Sequence, residues 1–223
     1  MSTGAGAEPI WTPDPVTSAA SELERFRVFV NDRHHVALAD YTELHRWSVE
    51  QLDAFWSAVW DFFDVQSAER PTVALAEERM PGAVWFPGTR LNYAGQVLRH
   101  RRSAEPAIID IAEDGTGSVV SWTELHRRVG ALAATLRDLG VGQGDRVVGY
   151  LPNTSAAIVG LLASATLGAI WSACGQDYAA KGAADRFGQL EPTVLLAADG
   201  YRHGGKVFDR RAETLDLLGR LPS

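Results

Sequence analysis

The sequence predicts an α/β protein, in which a helical N-terminal segment precedes a parallel sheet that helices cover on both faces. Up to about residue 105 apolar residues recur mainly at helical spacing, and beyond it short strand-like runs alternate with helical ones. Such alternation is typical of a parallel, helix-covered sheet. With 46% hydrophobic residues the chain can bury a core rather than stay disordered. Its 223 residues predict one full domain and part of another, divided as 1–105 and 106–223.

Three features organise the N-terminal segment. The first 15 residues are rich in Gly, Ala and Pro and predict an extended arm. Ser21 and Glu24 have the spacing of a capping box and predict the start of a helix. Ser48 is the predicted cap of a further helix, whose aromatic and aliphatic residues from 52 to 63 fall on one face. Such a stripe could be a ligand platform, but it is more typical of a buried core.

The second half reads as a hairpin followed by alternating helices and strands. Runs 107–111 and 118–122 flank a Gly-containing loop, which predicts the hairpin. Thr123 is the predicted cap of the next helix, and Gly140 its end. The following elements are predicted in order: a strand at 146–151, a helix from Asn153 or Thr154 to Leu167, a strand at 169–172, a helix at 179–190, a strand at 193–197 and a helix at 209–221.

Charge and cysteine content exclude several classes of protein. Because 28 acidic residues outnumber 21 basic ones, giving a net charge of −7, binding to nucleic acid or an anionic membrane surface is not expected. The uncharged run 147–176 is interrupted at Pro152 and is better read as a buried strand, helix and strand than as a membrane span. The N-terminus has no signal-peptide pattern. The single Cys174 cannot form an internal disulfide and is expected to be buried, so we expect a cytoplasmic protein.

Generic chemical motifs do not reveal a catalytic set. The run Gly140-Val-Gly142-Gln-Gly144 lacks the GxGxxG spacing, and a helix precedes it where a dinucleotide site needs a strand. There is no Walker A loop, and the six histidines have no convincing metal-binding spacing. The residues taken singly therefore predict a scaffold without visible catalytic residues.

Several blocks in order indicate a family. They are Trp85-Phe-Pro-Gly88 with Leu91-Asn-Tyr-Ala94, Ser121-Trp-Thr-Glu-Leu125, Gly144 to Asn153 leading into Leu167 to Ser172, and Asp185 to Pro192 leading into Ala198 to Lys206. Together they resemble the N-terminal part of the acetoacetyl-CoA synthetases, within the AMP-forming acyl-CoA synthetase superfamily. The chain departs from the family pattern at Gly95-Gln96, where Glu-Asn is usual, and at Cys174-Gly-Gln-Asp177, where the usual version is rich in serine.

The resemblance implies a two-step ligase. Acetoacetate and ATP would give acetoacetyl-AMP and pyrophosphate, and the CoA thiolate would then displace AMP, with Mg²⁺ as the metal ion. It also implies that residues 106–223 are the first part of the large domain of an adenylate-forming enzyme, and residues 1–105 its N-terminal extension. The family's phosphate loop, adenine- and ribose-binding residues and catalytic Lys fall beyond residue 223. We therefore expect no catalytic or metal-binding residue in this chain, and no adenylation by it alone.

One functional contact is implied within the chain. In the family, basic residues after the strand equivalent to 193–197 contact the phosphates of the CoA nucleotide, and Arg202 and Lys206 hold the matching positions. The alternative is an exposed loop whose basic residues only aid solubility. Trp171 and Tyr178 could approach the acyl or pantetheine path, but packing explains them better. Two other functions stay open: a ligase for a different short acyl group, and a non-catalytic module that binds CoA or a partner.

Overall fold

The computed structural model describes residues 10–99 and 104–221, which form two compact units, one ending at Arg90 and the other beginning at Leu91. In this part of the chain no helix is both long and apolar enough to cross a membrane. The predicted arm at residues 1–15 falls largely outside the described residues, and Pro15 belongs to a helix that Asp14 caps.

The first unit consists mainly of helices. The side-chain oxygen of Ser21 accepts a hydrogen bond from the amide of Glu24 at 3.2 Å, which confirms the predicted helix start. Its elements are α1 (Pro15–Ala19), α2 (Glu22–His34), α3 (Tyr41–Glu50), α4 (Leu52–Phe62) and the short antiparallel strands β1 (Leu75–Glu77) and β2 (Val84–Trp85).

The aromatic stripe of α4 contributes to the core of this unit, as predicted. Phe26 of α2 is buried, and its ring meets those of Phe55 and Phe62 edge-on, with centroids 5.8 and 5.2 Å apart. Edge-to-face pairs of this kind stabilise a core beyond the area they bury. The stripe is not buried throughout, since Trp56 and Phe63 at its margins remain partly exposed.

The predicted cap at Ser48 is wrong. Asp40 accepts a hydrogen bond from the amide of Glu43 at 2.9 Å and so starts α3 earlier in the chain. Ser48 lies inside that helix, and its hydroxyl donates to the carbonyl of His45. The helix with the aromatic stripe begins only after Gln51.

The second unit contains the predicted hairpin and the predicted alternation of helices and strands, and also one short helix and two short strands that were not predicted. In chain order the elements are α5 (Tyr93–Leu98), β3 (Pro106–Ile111), β4 (Gly117–Ser121), α6 (Trp122–Asp138), β5 (Arg146–Tyr150), α7 (Ser155–Thr166), β6 (Ile170–Cys174), α8 (Ala180–Phe187) with a 3₁₀ turn (Gly188–Leu190), β7 (Val194–Ala197), β8 (Gly200–His203), β9 (Lys206–Asp209) and α9 (Arg211–Arg220).

The cap of α6 is also corrected. Ser121, not Thr123, is the N-cap, and its side chain accepts from the amide of Glu124 at 3.2 Å. Thr123 lies within the first turn of the helix. Ser121 and Glu124 have the same spacing as Ser21 and Glu24, so the sequence contained this signal. Gly140 ends the helix as predicted, with φ of +88°.

The parallel sheet has the strand order β6-β5-β7. Val147 of β5 lies opposite Trp171 of β6 on one side and Val194 of β7 on the other. Successive side chains of a strand point to opposite faces, which divides the core in two. Val147 packs with α6 and α7 on one face, whereas Val148 and Tyr150 pack with α8 and α9 on the other.

Candidate functional site

The order of the three strands indicates where a ligand would bind. The crossover from β5 to β6 runs in one direction and that from β6 to β7 in the other, so α7 and α8 lie on opposite faces of the sheet. After β5 the chain turns toward α7, while after β7 it leads to α9 on the opposite face. In open α/β sheets ligands bind in the crevice that such a reversal leaves at the carboxyl ends of the strands.

A cleft of about 680 Å³ lies at this point, within the range typical of ligand sites. Its walls are residues 152–154 after β5, 175–177 after β6, 200–203 in β8, and 111–113 at the end of β3. Two loops, one strand and the end of the β3–β4 hairpin therefore converge on one space.

Hydrogen bonds from buried side chains fix the loop that follows β6. The hydroxyl of Tyr150, at the end of β5, donates to the carbonyl of Tyr178 at 2.6 Å. The Nε2 of Gln176 donates to the carbonyl of Ala198 at 2.6 Å and so joins the ends of β6 and β7. Gln176 is only 1% exposed, and its Oε1 has no hydrogen-bond partner among the described residues. Because burial disfavours the phenolate, the pKa of Tyr150 is raised and the hydroxyl stays a donor.

The β8–β9 hairpin carries the basic residues that the family resemblance indicates. Its loop is Gly204-Gly205, with φ of +57° and +71°. A two-residue turn in which both residues have positive φ matches the right-handed twist of the flanking strands. At Gly200 a side chain would overlap the carbonyl oxygen of Phe208 on the facing strand, so this position admits only glycine. This hairpin was not predicted from the sequence, although two adjacent glycines between short strand-like runs are a hairpin signal.

The structure separates Arg202 from Lys206. Arg202 is exposed at the cleft and makes no hydrogen bond or ion pair with another described residue. Its cross-strand partner is Val207, whereas Lys206 faces His203. Because directly opposite residues share a face and adjacent ones do not, Arg202 and Lys206 lie on opposite faces of the hairpin. Lys206 does not line the cleft.

Glu113 also lies at the cleft, although no sequence motif singles it out. Its Oε1 accepts from the amide of Gly204 at 2.9 Å, and its Oε2 accepts from that of Gly205 at 3.3 Å. The Nδ1 of His203 lies 3.0 Å from its Oε1. Hydrogen bonds from the two glycine amides lower the pKa of Glu113, so the group stays ionised.

Trp171 and Cys174 are structural residues, as expected. A side chain at Gly149 or at Gly160 would come within 2.6 Å of the Trp171 ring, so the ring fills the space between β5 and α7. Cys174 is buried, and burial raises the pKa of its thiol, which disfavours the reactive thiolate. Tyr178 is partly exposed, and the guanidinium of Arg186 lies over its ring, 4.6 Å from the centroid.

Side chains of both charges line the cleft. The guanidinium of Arg202 suits phosphate, whereas Glu113 and Asp177 add two carboxylates. The polar side chains of Asn153 and Gln176 lie within the same cleft. Among the described residues no group of three or more His, Cys, Asp or Glu side chains is placed to hold a metal.

Comparison with known proteins defines the class. The profile of the AMP-binding enzyme family matches residues 96–219, and that of the acetyl-coenzyme A synthetase N-terminus matches residues 41–97. The first match covers more than half of the chain. The chain therefore belongs to the AMP-binding enzyme family.

Within that family the chain is similar to acetoacetyl-CoA synthetases. It is 38% identical to acetoacetyl-coenzyme A synthetase of Rhizobium meliloti over 201 residues, which is 90% of this chain and 31% of the relative. The solved acetoacetyl-CoA synthetase from Streptomyces lividans has 45% identity and a TM-score of 0.90, covering 96% of this chain and 34% of that one. A malonamoyl-CoA synthetase of Penicillium aethiopicum is 31% identical, over 98% of this chain and 31% of the relative. The chain thus spans about a third of the length of these proteins.

Proposed function

We propose that this chain forms the N-terminal third of an acetoacetate–CoA ligase that works through an acetoacetyl-adenylate. The observation that carries the proposal is the match to the Streptomyces lividans enzyme, at 45% identity over 96% of the chain. The N-terminal placement rests on the acetyl-coenzyme A synthetase N-terminus profile over residues 41–97. The order of the two profiles, which meet at residues 96–97, supports an N-terminal extension followed by the first part of the AMP-binding domain, and the boundary between residues 105 and 106 stays a prediction. We also infer that the enzyme acts in the cytoplasm, which stays a prediction.

The contribution of this chain would be to bind CoA rather than to catalyse adenylation. The proposed contact is between Arg202 and a phosphate of the CoA nucleotide, since this unpaired cation stands at the cleft. Lys206 lies on the other face of the hairpin, so its proposed contact would be with a different phosphate or with a ligand that wraps around the turn. ATP would transfer its adenylyl group to the acetoacetate carboxylate with release of pyrophosphate, and Mg²⁺ would neutralise charge on the phosphates. The residues that hold ATP and Mg²⁺ are expected in the remaining two-thirds of such an enzyme.

The native gene product provides the test of the ligase proposal. It would be captured with an antibody against this chain and assayed for AMP formation with ATP, CoA and acetoacetate. We expect AMP formation that needs both acetoacetate and CoA. The purified 223-residue chain is the matched control and should release no pyrophosphate. Acetoacetate-dependent pyrophosphate release by this chain alone would contradict the division of labour proposed here.

Arg202→Ala in the native-length product tests the CoA contact. We expect a higher KM for CoA with unchanged acetoacetate-dependent pyrophosphate exchange, because exchange needs only the first half-reaction. Lys206→Ala should behave in the same way if Lys206 also contacts a phosphate. Unchanged dependence on CoA in both variants would leave the two residues as solubilising surface cations.

A ligase for another short acyl acid is the second candidate. The 31% identity to a malonamoyl-CoA synthetase favours it, because the same N-terminal sequence pattern occurs with a different acyl group. Parallel assays with acetoacetate, malonamate and acetate distinguish the two. A kcat/KM for malonamate above that for acetoacetate would replace the first proposal with the second.

A further inference from the structure

Two hairpin tips meet at the edge of the cleft, and their contact depends on one side chain. Glu113 follows β3 at the start of its turn, whereas Gly204 and Gly205 form the loop between β8 and β9. The carboxylate of Glu113 accepts from both glycine amides, at 2.9 and 3.3 Å, across 91 and 92 residues of sequence.

This contact is specific in geometry. Each carboxylate oxygen accepts from a different amide of the same loop, so the side chain fixes both the position and the orientation of the turn. The Nδ1 of His203 approaches the same carboxylate at 3.0 Å. Arg202 precedes His203, and its side chain makes no hydrogen bond or ion pair with a described residue, although it lies close enough to Asp114 to attract that carboxylate.

We propose that Glu113 is a positioning residue, which holds the Gly204-Gly205 turn so that Arg202 faces the cleft. This inference rests on the proposed role of Arg202 as a contact to a CoA phosphate. Without the carboxylate, two exposed loop amides lose their acceptor and the hairpin tip samples other orientations. Arg202 then has to be ordered when the ligand binds, and that entropic cost weakens binding.

Removal of Glu113 also has an opposing, electrostatic effect on phosphate binding. A negative charge near the cleft repels a phosphate, so its removal could strengthen binding. Asp114 provides the matched control, because it is the next residue, carries the same charge and bonds within its own loop to Thr116. Asp114→Asn removes a charge beside the cleft without removing an acceptor from the glycine amides.

The test uses the native-length product and two readouts. Amide hydrogen exchange at Gly204 and Gly205 reports the contact, and titration calorimetry with adenosine 3′,5′-bisphosphate reports phosphate binding. For Glu113→Ala we expect exchange at both amides to be roughly tenfold faster and the Kd to rise by about tenfold, as for loss of hydrogen bonds to a charged group. Glu113→Gln keeps one acceptor oxygen, so it should restore part of both effects. Asp114→Asn should leave the exchange unchanged.

Three results separate the possible failures. Unchanged exchange in Glu113→Ala would overturn the proposal. Faster exchange together with tighter nucleotide binding in Glu113→Ala would also overturn it. If Asp114→Asn tightened binding by a similar factor, the effect of Glu113 on binding would be electrostatic. If the wild-type product does not bind the nucleotide, the proposed phosphate contact of Arg202 is wrong, and a positioning role of Glu113 toward that ligand is wrong with it.

Discussion

The indole ring of Trp171 is held between two glycines, and this arrangement predicts an unusual response to a small substitution. A Cβ on Gly160 of α7 would lie 2.6 Å from Cη2 of the ring, and a Cβ on Gly149 of β5 would lie 2.6 Å from the same atom. Real Cβ atoms essentially never approach another heavy atom within 3.0 Å. Because both glycines flank the same edge of the ring, moving it away from one brings it closer to the other.

The magnitude for Gly160→Ala follows from two opposed terms. Alanine in place of glycine inside a helix stabilises by about 0.8–1.0 kcal/mol. Overpacking a well-filled core costs about 1–3 kcal/mol. We expect the second term to exceed the first, so that Gly160→Ala lowers the free energy of unfolding by up to about 2 kcal/mol.

Gly130→Ala is the matched control. Gly130 lies in α6, is exposed, and has nothing within 4 Å of the position that a Cβ would take. The same substitution there should stabilise by about 0.8–1.0 kcal/mol, since only the helix-propensity term remains. Urea unfolding followed by far-UV circular dichroism would measure both variants.

A double-mutant cycle identifies the cause. Phenylalanine at position 171 lacks the outer ring edge, so Gly160→Ala should cost less in the Trp171→Phe background, by about 1 kcal/mol or more. Equal stabilisation by Gly160→Ala and Gly130→Ala would refute the packing argument. A loss that Trp171→Phe does not reduce would place the strain elsewhere.

Three further predictions concern stability and reactivity. Leu217 of α9 is fully buried, whereas Leu215 of the same helix is 70% exposed. In urea unfolding, Leu217→Ala should lower the free energy of unfolding by about 2–5 kcal/mol and Leu215→Ala by no more than about 0.5 kcal/mol. Similar losses in the two variants would contradict the packing of α9. Hydrogen bonds from Arg127 and then from Arg128 lower the pKa of Glu124 from 4.5 to about 2. The stabilisation of the folded state by these bonds is therefore present above pH 4.5 and is lost as the pH falls toward 2. Glu124→Gln should flatten that part of the pH–stability curve, and an unchanged acid slope would disprove the contribution of this cluster. Because burial raises the pKa of Cys174, the native chain should react with a thiol reagent at pH 8 far more slowly than the urea-unfolded chain, and equal rates would show that the thiol is accessible.

Much of the second unit could be predicted because local signals and tertiary packing agree there. The apolar run of β5 is continuous, as expected for a strand covered on both faces, and the four residues Val147 to Tyr150 are all buried. The first residue of a helix is harder to predict than its apolar face, because several residues of one short segment can act as the N-cap. Thr123 and Ser121 both have suitable side chains, and the spacing to Glu124 decides in favour of Ser121.

The candidate site was predicted only in part. Arg202 and Lys206 came from family resemblance, and the sequence could not show that β-strand alternation separates them. Glu113 and Gln176 could not be found from the sequence, because their partners lie far along the chain. Gly204 lies 91 residues from Glu113, and Ala198 lies 22 residues from Gln176. Such contacts are set by the topology of the sheet, which brings the strand ends together.

We propose that the carboxyl ends of β5, β6 and β7 form a binding site for the CoA nucleotide. Titration of the ¹⁵N-labelled chain with CoA, followed by the backbone amide resonances, would locate that site. We expect the largest shifts on residues 152–154, 175–177 and 200–206, and weaker binding by Arg202→Ala. Shifts concentrated on the helical unit before Arg90, or an Arg202→Ala variant that binds CoA as the wild type does, would contradict this proposal.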